Sequence, residues 1–103
     1  TMDSDFILDE AITLVTYESN LEKAKEICYN AALKNLDEEL KKKKDLPFIR
    51  VFQSDSGIQV KARYKVKTVE RITISSKIHN EIINNISKAP DVRIAYPHMQ
   101  IVK

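Results

Sequence analysis

Glycine occurs once in the 103 residues, at Gly57, cysteine once, at Cys28, and tryptophan not at all. The single glycine excludes the most. Phosphate-cradling loops and dinucleotide-binding turns need several glycines, so that backbone amides can approach the phosphates. Those nucleotide-binding classes are ruled out. A lone cysteine forms no intrachain disulfide and no cysteine-based zinc cluster. No apolar run approaches the ~20 residues that cross a bilayer. The opening Thr1-Met2-Asp3-Ser4-Asp5 is acidic and polar, without signal-peptide character. Charge of one sign is scarce too: a net +2 is too small to imply a polyanionic partner, and no nucleic acid is expected. Apolar residues at 43% and charged residues at 31% describe a soluble, globular chain with one core rather than a disordered one.

The apolar pattern divides the chain into alternating elements. Residues 6–17 read as extended, with Ile12-Thr13-Leu14-Val15-Thr16-Tyr17 rich in β-branched residues. Ser19-Asn20-Leu21-Glu22 has capping-box form, so a helix is expected to start at Ser19. Its apolar stripe is Leu21, Ala24, Cys28, Ala31 and Ala32, widened by Ile27, Leu36 and Leu40, and it ends in the lysine run before Leu46-Pro47. Phe48 to Phe52 is a short strand. Ser54-Asp55-Ser56-Gly57 is a turn whose glycine is expected to take positive φ. The next strand alternates strictly, with Ile58, Val60, Ala62, Tyr64 and Val66 on one side and Gln59, Lys61, Arg63, Lys65 and Lys67 on the other.

A second helix is expected over 75–88, with Ile78, Ile82, Ile83 and Ile86 inward, ended by Ala89-Pro90-Asp91. Val92–Tyr96 and Met99–Val102 read as two short extended pieces broken at Pro97. The fold class that follows is α+β: a ferredoxin-like split β-α-β arrangement. Its order is β-α-β-β-α-β, with two helices on one face of an antiparallel sheet and a short tail strand.

Chemistry-bearing clusters are sparse. Lys41-Lys42-Lys43-Lys44 follows Asp37-Glu38-Glu39 at acid-before-base helical spacing, which reads as a solvated helix end. Cys28 falls on the inner stripe as a small core residue, and His79 and His98 share no short metal-ligand spacing. No nucleophile motif or paired acid–base carboxylates appear, so the chain does not read as an enzyme, and neither a metal nor a cofactor is expected. The outward row Lys61, Arg63, Lys65 and Lys67 carries no stacking aromatic, unlike an RNA-recognition sheet of the same topology.

Two stretches, Ile12-Thr13-Leu14-Val15-Thr16-Tyr17-Glu18-Ser19-Asn20-Leu21-Glu22-Lys23-Ala24 and Val92-Arg93-Ile94-Ala95-Tyr96-Pro97-His98-Met99, resemble the C-terminal domain of the small-conductance mechanosensitive ion channel family. Tyr17, Tyr96 and Pro97 carry the motif, and Ser56-Gly57-Ile58 to Tyr64 is similar to the family's middle hairpin. Three departures stand out. Ala95 stands where a proline is common, His98 where glutamine is common, and the glycine usual after the second helix is missing.

The resemblance implies a cytosolic vestibule domain of a homoheptameric, stretch-gated channel. It would lie on the cytoplasmic side of the cell membrane, with the remainder of the parent chain in the membrane. Residues 1–11 would join it to upstream domains, 12–98 form the domain, and 99–103 a terminal strand. Met99, Gln100, Ile101 and Val102 would close a barrel with neighbouring subunits, supporting assembly and the access of inorganic ions and small osmolytes to the pore. Seven copies of the Lys61/Arg63/Lys65/Lys67 face, if it lines the vestibule, would concentrate anions. Two other readings share a small αβ fold: the cytosolic regulatory domain of a cation-diffusion metal transporter, and a dimeric ligand-sensing module. The first expects metal-binding His and acidic residues near the hairpin and the last strand, where only His98 is offered. The second expects a glycine in the loop at Glu18-Ser19-Asn20.

Overall fold

Alternation along the chain sets the sheet. In the computed structural model, which describes residues 6–95, Val60, Ala62, Tyr64 and Val66 of one ten-residue strand are buried while Lys65 between them is exposed. Three strands form the sheet: β1 (Phe6–Val15), β2 (Phe48–Gln53) and β3 (Ile58–Lys67). Antiparallel pairing runs β1 along one side of β3, from Phe6 opposite Lys67 to Val15 opposite Ile58. On the other side β2 runs from Phe48 opposite Arg63 to Gln53 opposite Ile58. The order β1-β3-β2 makes β1 and β2 parallel to each other with β3 between them. Parallel strands need a crossover, and two helices, α1 (Leu21–Lys34) and α2 (Glu38–Lys42), supply it. A 3-10 turn at Thr68–Glu70 then leads into α3 (Arg71–Ser87).

The buried parity of the sheet, Ala11, Thr13 and Val15 of β1 with the four β3 residues, faces α1 and α3. Small residues on α1, namely Ala24, Cys28, Ala31 and Ala32, let it sit close to the strands, and all four are fully buried. Burial pushes the Cys28 thiol up to about 11, with a hydrogen bond to Thr13 offsetting part of the rise. The thiol therefore stays protonated and unreactive at neutral pH. No helix among the described residues is long and apolar enough to cross a membrane.

Several sequence expectations are corrected. The cap of α1 is Asn20, whose Oδ1 accepts from the Lys23 amide at 3.2 Å, and not Ser19. The Ser19 hydroxyl is engaged elsewhere, with the Thr16 hydroxyl and the Arg93 backbone. The single long helix is instead two. Asn35 turns its amide onto the Ala31 carbonyl and Asp37 caps α2 through the Glu39 amide, the local side-chain bonding by which Asn and Asp interrupt helices. Leu36 and Leu40 are nevertheless buried as the apolar stripe requires.

Inside the lysine run α2 stops in a Schellman arrangement. Asp45 N–H reaches the Leu40 carbonyl at 2.9 Å, Lys44 N–H reaches that of Lys41 at 3.1 Å, and Lys44 takes φ 60°. That left-handed position belongs to Lys44 and not, as expected, to Gly57, whose φ is not positive. What Gly57 supplies is room. A Cβ there would lie 2.3 Å from the Val15 carbonyl oxygen and 3.2 Å from Ala95 Cβ. Steric space, not backbone freedom, fixes the glycine.

On α3 the inner stripe is Ile78, Ile82 and Ile86, and Ile83 is exposed. Residue 83 stands about 100° round the helix from Ile82, outside the arc that meets the sheet. The extended piece expected over 92–96 is reduced, among the described residues, to one antiparallel bridge of Ile94 with Val15. Two bonds make that bridge, Thr16 N–H to Arg93 O at 3.0 Å and Ala95 N–H to Leu14 O at 2.8 Å, and Asn20 N–H reaches Asp91 O at 2.8 Å just before it. The molecule is thus an α+β domain with a three-stranded antiparallel sheet. β1 begins at Phe6, so residues 6–11 lie within the sheet, as the extended reading of 6–17 expects. Tyr96, Pro97 and Met99–Val102 lie outside the described residues.

Candidate functional site: the open sheet face and the loop junction

The sheet face away from the helices is built from the outward parity of all three strands. β3 contributes Gln59, Lys61, Arg63, Lys65 and Lys67 in a central row. Register then sets Phe6, Leu8, Glu10, Ile12 and Leu14 of β1 on one side and Phe48, Arg50 and Phe52 of β2 on the other. Leu8, Ile12, Phe48 and Phe52 are each more than two-fifths exposed. A central, mostly basic row is thus flanked by two mostly apolar ones, interrupted by Glu10 on one side and Arg50 on the other.

This corrects the expectation that the face lacks aromatics. The β3 alternation alone hides them, because Phe6, Phe48 and Phe52 arrive from neighbouring strands. Each meets a cation: Lys61 Nζ lies 4.5 Å from the Phe52 ring centre, Arg50 5.8 Å and Arg63 6.0 Å from that of Phe48, and Lys67 6.0 Å from that of Phe6. Such contacts contribute about 0.5–1 kcal/mol when exposed.

Three of the four candidate filter cations have carboxylate partners. Lys65 Nζ lies 2.8 Å from Asp45, Lys67 Nζ 3.8 Å from Asp37, and Arg63 Nε 3.2 Å from Glu10. The Arg63 contact is an ion pair by distance but poorly aligned, and its buried Nε–H makes no hydrogen bond. Lys61 differs, having no carboxylate partner among the described residues. Arg50, directly opposite it across the ladder, has none either. Like charges set opposite each other across strands destabilise a sheet, so the residual positive charge of the face is concentrated at this one pair. Sequence reasoning missed Arg50 because a single arginine in a six-residue strand gives no signal until the register is known.

Asp9 lies on the opposite, helix-facing side of β1, across the ladder from Tyr64. Its Oδ1 accepts from the Glu10 amide at 2.9 Å, its Oδ2 lies 3.2 Å from Arg71 Nε, and the Tyr64 hydroxyl donates to it at 3.5 Å. Burial first, and the nearby Asp9 carboxylate second, push the Tyr64 phenol up to about 12. An amide so occupied also blunts the free edge of β1 against strand addition.

A second constellation lies at the far end of the sheet, where three loops meet. The Tyr17 hydroxyl donates to the Ser54 carbonyl of the β2–β3 turn. Asn20 Nδ2 reaches Asp91 Oδ2 at 2.9 Å, and the Arg93 amide donates to Ser19 Oγ at 2.9 Å. Within the turn Ser54 N–H and Oγ both donate to the Gly57 carbonyl, at 2.8 and 3.0 Å. Tyr17, singled out in the sequence for its motif, is therefore a tether between loops. An open cleft of about 310 Å³ lies here, lined by Thr16, Glu18, Ser19, Pro90, Asp91 and Arg93. Elsewhere His79 Nδ1 meets the Ser75 carbonyl at 2.9 Å, one turn earlier on α3. No protein-family model matches the chain, and no curated protein matches it.

Proposed function

We propose that the chain is a cytosolic wall domain of a stretch-gated ion channel of the small-conductance mechanosensitive class. In this reading it supports a homoheptamer around the entrance to the pore and carries out no catalysis. One observation carries the reading: the sequence stretches that bear the resemblance converge on one another in space. Thr16–Asn20 of the first stretch, Arg93–Ala95 of the second and the Ser54–Gly57 turn of the middle hairpin form one hydrogen-bonded junction. They come from parts of the chain as much as 74 residues apart. A chance likeness in separate segments gives no reason for them to meet.

In the same reading the bridge at Ile94 begins a fourth strand outside β1. The sheet then has the order 4-1-3-2, which is that of the ferredoxin-like split β-α-β fold. Heptameric mass separates this proposal from the ligand-sensing module, which works as a dimer, and titration with divalent metals separates it from the metal-transporter domain. Light scattering on the full-length protein in mild detergent is expected to give seven subunits. A dimer excludes the channel reading.

A further inference from the structure

Strand β2 ends the sheet on the side away from β1, and its outer edge is free. At the turn Ser54 and Gly57 exchange both backbone bonds, at 2.8 and 3.4 Å. Antiparallel pairs alternate between bonded and non-bonded positions, so Phe52, Arg50 and Phe48 turn their backbone groups onto β3. Those of Ile49, Val51 and Gln53 therefore point outward. They meet no partner among the described residues, and Val51 and Gln53 are exposed.

The opposite edge is covered. On β1 and just after it, outward groups of Glu10, Leu14 and Thr16 are taken by Asp9, Ala95 and Arg93. No such device protects β2, whose ladder runs six residues without a bulge, a proline or a lysine.

We propose that the β2 edge binds an extended, acidic peptide of another protein, which adds to the sheet as an antiparallel strand. A row of outward backbone groups recognises a strand rather than a helix or a small molecule. Charge sets its composition. Arg50 and Lys61 stand opposite each other with no carboxylate partner among the described residues. In the added ladder Arg50 falls at a non-hydrogen-bonded position, where facing side chains come closest. A glutamate there offsets the repulsion between the two cations. On the helix side Val51, 38% exposed, takes an apolar neighbour. A second copy of the chain fits less well. β2 holds no carboxylate, and pairing two β2 edges would gather Arg50 and Lys61 of both copies on one face. The inference goes beyond the channel reading and does not rest on it.

Titration of the isotope-labelled 103-residue chain, followed by NMR, tests the proposal. The probe is the acetylated hexapeptide Thr-Val-Val-Glu-Ile-Thr, whose glutamate lies opposite Arg50 when its second valine lies opposite Val51. It is expected to shift the amides of Ile49, Val51 and Gln53 more than those of Arg50 and Phe52. It is also expected to bind about fivefold more tightly than the same peptide with lysine for glutamate. Arg50→Glu, at an exposed position, is expected to reverse that preference in a chain that circular dichroism shows folded. N-methylation of the second valine removes the amide that donates to Val51 and is expected to abolish binding. The glutamate amide faces away, and its methylation is expected to leave binding intact.

No binding at millimolar peptide overturns the proposal. So does equal affinity for the two peptides, or equal damage from the two methylations. A chain that doubles in mass by itself, with the amides of Ile49, Val51 and Gln53 protected, also overturns it and gives the edge to a second copy.

Discussion

Replacing Gly57 with alanine is expected to destabilise the fold by about 2–4 kcal/mol, a large share of the stability of a domain this size. The added Cβ would stand 2.3 Å from the Val15 carbonyl oxygen, and that atom is backbone within the β1–β3 ladder. It would also press on Ala95 at 3.2 Å, next to the Ile94 bridge. Neither neighbour is the end of a flexible side chain, so β1 or the 93–95 segment must move. Moving either disturbs the bonds of Thr16 with Arg93 and of Ala95 with Leu14. In an unstrained position the same change stabilises, by about 0.4–1 kcal/mol, through the unfolded chain, so the sign itself is diagnostic. Urea denaturation gives the number. A midpoint equal to or above that of wild type would show that the junction is looser than described.

Shortening Ile78 to alanine is expected to cost about 2–5 kcal/mol, the range for a buried Ile whose cavity cannot collapse. Ile78 is 0% exposed and belongs to the core shared by both helices and the sheet. The control is Ile83→Ala, at a position 52% exposed, where a change within about 0.5 kcal/mol is expected. Equal losses at the two positions would mean that α3 is rotated from the orientation described. This pair tests the one place where helical periodicity gave too wide a face.

The local elements were legible wherever a short-range rule governs them. Strict alternation from Ile58 to Lys67 specified both faces of β3, and the spacing of Ala24, Cys28 and Ala31 specified the buried stripe of α1. Errors arose where side chains bond in ways that spacing does not encode. Ser19 has capping character but spends its hydroxyl on Thr16 and Arg93, leaving the cap to Asn20. Asn35 and Asp37 look like ordinary helix residues until their side chains split the helix.

The candidate face was half legible. Its basic row follows from β3 alone. Its phenylalanines, the neutralisation by Glu10, Asp37 and Asp45, and the unpaired Arg50–Lys61 couple all depend on strand register or on loops distant in sequence. The need for glycine at position 57 is legible from its turn, but its cause is not, since the approach of the Val15 carbonyl belongs to tertiary packing.

Pressure-clamp recording from membrane patches carrying the full-length protein tests the channel proposal most directly. Suction is expected to open currents that are absent from patches lacking the gene and that close when tension is released. Silent patches, with the protein shown to be inserted at normal density and tension raised to the point of rupture, would contradict the account.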